Sequence, residues 1–343
     1  MRFPHPLLAC AAALAALAAV AAAAGPGYHV VSKLSPGGEG GWDYLSFDPA
    51  AHRLFVSRGT RVQVVDVDSG RLLAEVPDTP GVHGIALAPD LGRGFTSNGR
   101  DSTVTVFDLK TLATLQRVHV PARGPDAIVY DEASKRVFTF DGGSDDATAI
   151  DGASGVVAGG VPLGGRPEFA AADGKGRMYV NLEDSSAVVA FDSKTLGVLG
   201  RWPLAPGEGP SGFALDREHG RLFSGCHNQK LVVMDAANGH VVADLPIGQG
   251  VDAVAYDPGT HTVFSSNGDG TLTVIREDDP DHYTVLGNAT TQRGARTMAL
   301  DPKTHRVYLC TADFGEAPAA TPDNPRPRRP MVPGSFVILV TEP

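Results

Sequence analysis

Leu45-Ser46-Phe47-Asp48-Pro49 decides the fold, because the same short pattern, an apolar segment closed by Asp or Asp-Pro, returns along the chain. Its later copies are Ile85-Ala86-Leu87-Ala88-Pro89, Ile128-Val129-Tyr130-Asp131, Phe169-Ala170-Ala171-Ala172-Asp173, Phe213-Ala214-Leu215-Asp216, Val254-Ala255-Tyr256-Asp257-Pro258 and Met298-Ala299-Leu300-Asp301-Pro302. From position 48 the steps to 88, 131, 173, 216, 257 and 301 are 40, 43, 42, 43, 41 and 44 residues. Seven copies at this spacing match the period of a four-stranded propeller blade.

Each copy continues alike. In the first, a polar turn leads to Leu54-Phe55-Val56-Ser57, then Val62-Gln63-Val64-Val65-Asp66, then Leu72-Leu73-Ala74-Glu75-Val76, which gives four strands per unit. The expected fold is therefore all-β, a seven-bladed β-propeller with four antiparallel strands per blade. The third run ends in Asp at Asp66, Asp108, Asp151, Asp192 and Asp235, each followed by turn residues, so these aspartates read as Asx-type caps. The seventh unit lacks its outer strand at the C-terminus. The unassigned run Tyr28-His29-Val30-Val31-Ser32-Lys33-Leu34 can supply it, pairing both termini in one blade and removing an open edge.

Outward from the repeats lie two other segments. An alanine-dominated apolar run, Leu7 to Ala24, follows a single positive charge at Arg2 and ends in Ala22-Ala23-Ala24 before Gly25-Pro26-Gly27. Residues 1–24 read as a signal peptide and 25–343 as one propeller domain, periplasmic or secreted, with no membrane span after cleavage. An uncleaved anchor is the alternative. Within the last blade, residues 314–335 form a proline-rich insertion containing Pro325-Arg326-Pro327-Arg328-Arg329-Pro330, expected to lack regular structure, either a solvated loop or a lid across one face.

Loss of Arg2 with the leader leaves 28 basic against 39 acidic residues, a net charge of −11, which argues against nucleic acid or an anionic membrane as partner. A small molecule or a protein remains as partner, and a monomer is expected. The two cysteines left, Cys226 and Cys310, are too few for a disulfide scaffold, fall in non-neighbouring blades and are expected to be free.

Units such as Arg177-Met178-Tyr179-Val180-Asn181, with Ala187 to Asp192 and Thr195-Leu196, resemble the YVTN-type β-propeller repeat family, and residues 28–340 resemble its YncE-like secreted members. No unit reads Tyr-Val-Thr-Asn, and Tyr179-Val180-Asn181 is a partial match. The resemblance implies a binding or structural protein, distantly similar to lactonase, streptogramin-lyase and haem d1 propellers, and it brings no catalytic motif.

Five residues before each repeat's register position stand Asp43, His83, Asp126, Glu168, Ser211, Asp252 and Arg296, all polar although their neighbours are apolar. The innermost strand starts there, so the seven are expected to line the channel mouth as a ligand-binding rim. The turns after the second strands bring Arg58, Asn98, Asp141, Cys226, Asn267 and Thr311 near the same face, with His227 and Asn228 as less expected additions to the rim. Hydration of a water-filled channel explains polar residues at its mouth without further function. Calcium or magnesium held by Asp43, Asp126, Glu168 and Asp252 is the functional alternative, since hard cations take several carboxylate oxygens. No Cys-x-x-Cys-His, Gly-x-Ser-x-Gly or His-Glu-x-x-His occurs. The expectation is a non-catalytic binding module acting through its channel face, with a divalent-metal-dependent lactonase or lyase as the alternative. A non-covalent haem on His83 or His227 is a third reading.

Overall fold

The computed structural model describes residues 27–319, 321, 327 and 329–343; the expected signal peptide, 1–24, lies outside them. Seven four-stranded antiparallel sheets form the ring, six of them running from an innermost to an outer strand in chain order. Blade one comprises Leu45–Asp48, Arg53–Ser57, Val62–Asp66 and Leu72–Val76. Blade seven comprises Thr297–Asp301, Arg306–Thr311 and Val337–Glu342, and its outer strand is His29–Leu34, antiparallel to Val337–Glu342. The ring closes as the sequence led us to expect. Among the described residues no helix is long and apolar enough to cross a membrane.

The second and third strands are buried on both faces because a neighbouring blade packs on each side, and the apolar clusters accordingly lie between blades. One register position of the second strand carries an aromatic ring in every blade: Phe55, Phe95, Phe138, Tyr179, Phe223, Phe264 and Tyr308, all buried. Two residues earlier stands Arg in six blades and Thr262 in blade six. Several of these arginines staple adjacent blades: Arg53 donates to Leu109 O at 2.9 Å and Arg136 to Ser193 O at 2.9 Å. The aspartates closing the third strands cap their turns as expected; Asp66 accepts from Ser69 N at 2.7 Å and Asp192 from Thr195 N at 2.7 Å. Cys226 and Cys310 are free and buried.

Among the described residues of 314–335 no strand or helix forms, as expected. The base of the proline-rich insertion is paired, with a bridge between Phe314 and Met331 and Gly315 N donating to Pro330 O at 2.9 Å. The second-strand ends Arg58, Asn98, Asp141, Cys226, Asn267 and Thr311 lie at the rim end of their strands, where Asn98 pairs with Val82 and Asp141 with Pro125, but each is at most 1% exposed.

Asn98 there accepts from Thr96 and donates to Thr103 and Thr105, and Asn267 repeats this with Ser265, Thr271 and Thr273. Blade three puts Asp141 in the same place, where Thr148 donates to it at 2.8 Å while its Oδ1 and the Thr139 hydroxyl lack partners. Burial pushes the Asp141 carboxyl up to about 7. A raised acid pKa means that the neutral form fits the folded state: the cost is nil below the unfolded value near 4, grows as pH rises and is complete above 7. Asp141→Asn supplies the neutral amide of blades two and six. It is expected to stabilise the protein by about 2 kcal/mol at pH 8 and by nothing measurable at pH 4, read from urea unfolding at both pH values.

Candidate functional site

The rim residues are aimed into the channel by irregular backbone. Register breaks between Val82 and Ile85, Pro125 and Ile128, Pro167 and Ala170, Pro210 and Phe213, and Val251 and Ala253 place His83, Asp126, Glu168, Ser211 and Asp252 within bulges of the innermost strands. A bulge re-aims its side chains, and an initial proline costs no ladder hydrogen bond. The next link is a polar residue of the preceding blade that grips the rim's main chain. Ser97 donates to Asp126 O, Asn181 to Ser211 O at 3.0 Å, and Ser266 to Arg296 O.

All seven rim residues line one cup of about 540 Å³ at the channel mouth, joined by His227. Asn228 lies elsewhere, its amide clamping Pro206 O at 2.9 Å and Glu208 N at 3.1 Å. Trp42, Tyr44, Arg100, Arg166, Phe169 and Glu183 complete the wall, and sequence reasoning missed them. Tyr44 of the segment entering blade one stacks on Phe169 of blade four across the ring, with centroids 4.5 Å apart, so an aromatic pair floors the cup. None of the described residues of 314–335 lines it; the insertion touches the wall through Phe314, 6.1 Å from Trp42.

The carboxylates are divided among three partnered groups. His83 Nδ1 donates to Asp43 Oδ2 at 2.6 Å and lies 3.6 Å from Asp126 Oδ1. Arg166 reaches Glu168 at 3.2 Å and Glu183 at 3.0 Å, with His227 Nδ1 3.7 Å from Glu183. Arg296 sits 3.8 Å from Asp252. The four-carboxylate cation set is thus not gathered: Asp43 and Asp126 converge, with His83 rather than Glu168 and Asp252 as the third group. Ser211 donates its hydroxyl to Asp252 O at 3.2 Å, a main-chain acceptor rather than a base.

Burial sets the charge state. It pushes Asp126 up to about 6, with His83 opposing, and Asp252 up to about 7, with Arg296 opposing. Glu168 is pushed up strongly by burial and by the negative charges of Asp126 and Glu183. The hydrogen bond to Asp43 holds His83 above the ordinary histidine value. Near neutrality the cup therefore holds shared protons and bound guanidinium groups, a surface of donors and acceptors suited to a small polar ligand.

Glycine has one specific task here. A Cβ on Gly99 would stand 2.9 Å from both Cδ2 and Nε2 of His83, so the bare glycine seats that edge of the ring and leaves Nδ1 facing the carboxylates.

No protein-family model matches the sequence, and no curated protein does. The fold is similar to that of Kuenenia stuttgartiensis hydrazine synthase (TM-score 0.67, 15% identity, covering 82% of this chain and 93% of that one). It is similar also to a chain of the mitotic checkpoint complex (TM-score 0.70, 13% identity, 90% and 95% covered). At such identities the likeness establishes the seven-bladed propeller and carries no function.

Proposed function

We propose that the protein is exported after cleavage behind Ala24 and works, in the periplasm or outside the cell, as a monomeric binding module of the YVTN-type, YncE-like kind. Its cup takes a small polar ligand, without catalysis of its own. The observation that carries this reading is the cup itself: seven rim positions converge on one cavity whose acidic groups already have partners within it. Preformed, internally balanced polar walls orient a ligand without needing to react with it. The lactonase or lyase alternative draws on one specific feature, the Asp43–His83–Asp126 group.

Trp42 on the cup wall gives the test. In a Trp202→Phe background, screening small polar metabolites is expected to find one that shifts tryptophan emission and stabilises the protein by roughly 2.7 kcal/mol at a hundredfold excess over Kd. The triple variant Asp43→Asn, Asp126→Asn, Asp252→Asn should lose both responses. A triple variant that keeps every ligand response refutes the cup as the binding site.

A further inference from the structure

We infer that the cup holds a divalent cation of the zinc class, bound by Asp43, His83 and Asp126. The inference rests on the cup being the ligand site and names an inorganic component of what fills it. The three ligand atoms, from successive blades, all lie within 4.8 Å of one another. Around a tetrahedral ion with bonds of 2.0–2.1 Å, ligand atoms stand roughly 3.4 Å apart. The present separations from His83 Nδ1, 2.6 Å to Asp43 and 3.6 Å to Asp126, straddle that value, so small rotamer shifts suffice.

Ligand chemistry decides the class. Calcium takes six to eight oxygens and magnesium an octahedral oxygen shell, whereas one imidazole with two carboxylates suits a borderline ion with an open position. Glu168 and Asp252, which an oxygen-rich site would require, are turned to Arg166 and Arg296. The Gly99 seat fixes the Nδ1 edge toward the carboxylates, and Ser97 holds the Asp126 main chain. A separate observation points to an occupant. The Tyr44 hydroxyl is closed off from solvent and has no hydrogen-bond partner, and Tyr44 lines the same cup as the three ligands. A water on the cation's open position would satisfy it.

The second such group, Asp216, His219 and Glu277 on the opposite face, is internally saturated. His219 Nδ1 lies 2.7 Å from Asp216, while Tyr256 and Tyr283 donate to Glu277 at 2.5 and 3.2 Å. It serves as a control.

Tag-free protein freed of metal with EDTA is titrated with ZnCl2, CoCl2, CaCl2 and MgCl2 by calorimetry. One equivalent of zinc is expected, with visible d–d absorption for cobalt, and weaker binding of calcium and magnesium. His83→Ala and Asp126→Asn, checked for native circular dichroism, should each weaken zinc by ~100-fold or more, beyond what loss of an outer-shell partner usually costs. His219→Ala and the surface variant His282→Ala should leave it unchanged. Absence of zinc binding by folded wild-type protein overturns the inference, as does calcium binding more tightly, or loss of zinc on His219→Ala rather than His83→Ala. Should zinc fail while a metabolite still shifts Trp42 emission in a manner the triple variant loses, only the metal assignment falls; should both fail, the cup reading falls with it.

Discussion

A chain beginning at Pro36 is expected to lose its discrete folded state, whereas one beginning at Gly27 keeps it. The strand His29–Leu34 supplies every hydrogen bond along one edge of Val337–Glu342. Without it that edge, which carries the buried Ile338, Leu339 and Val340, becomes an unpaired template for other chains. The loss extends to blade six, because the Tyr28 ring packs edge-on against Phe264 at 4.8 Å; its hydroxyl donates to His305 O of blade seven at 3.0 Å. Size-exclusion chromatography and circular dichroism of the two chains expressed without a leader provide the check. The shortened chain should elute as aggregate or fail to accumulate. If instead it elutes as the longer chain does and melts within a few degrees of it, contacts other than the terminal strand close the ring.

Arg58→Ala should destabilise the fold by about 4 kcal/mol, the range reported for removing buried, hydrogen-bonded large side chains. Arg58 is 1% exposed and lies 3.6 Å above the Phe336 ring. One guanidinium nitrogen donates to Gly38 O at 2.9 Å and Gly40 O at 3.0 Å, and Nε and Nη1 have no partner. Burial lowers its pKa to about 10. Such a charge is costly to bury, so Arg58→Met, which fills the space without the charge, should recover most of the stability. Methionine cannot hold the Gly38 and Gly40 carbonyls, however. That segment runs directly into Trp42, Asp43 and Tyr44, which form part of the cup. The methionine variant is therefore expected to unfold at nearly the wild-type urea midpoint yet bind cup ligands at least tenfold more weakly, a loss of about 1.4 kcal/mol. Equal destabilisation by Ala and Met would show that the charge itself holds the fold, and unchanged ligand binding by Met would show that Arg58 does not position the segment.

Much of this architecture is legible in the chain because propeller blades are built from near neighbours. Turn aspartates such as Asp66 and Asp192 act within three residues of themselves, and the seven-copy period follows from strands paired in chain order. The Arg-x-aromatic pattern of the second strand was equally available in the sequence, from Arg53-Leu54-Phe55 to Arg306-Val307-Tyr308, and reports the stapling of adjacent blades. Asn98 and Asp141 mislead when read as turn residues, because polar ladders within a blade bury them completely.

By itself the sequence determined the number of blades, the terminal strand that closes the ring and the seven positions at the mouth, since each depends on periodicity and alternation over some forty residues. Only the tertiary structure decided what those positions do. Bulges aim five of them, Arg166 and Glu183 divide the acidic rim, Gly99 seats His83, and Tyr44 meets Phe169 from the far side of the ring. Contacts across a channel join residues more than a hundred positions apart through side-chain direction, and no local pattern of apolar and polar residues encodes that direction.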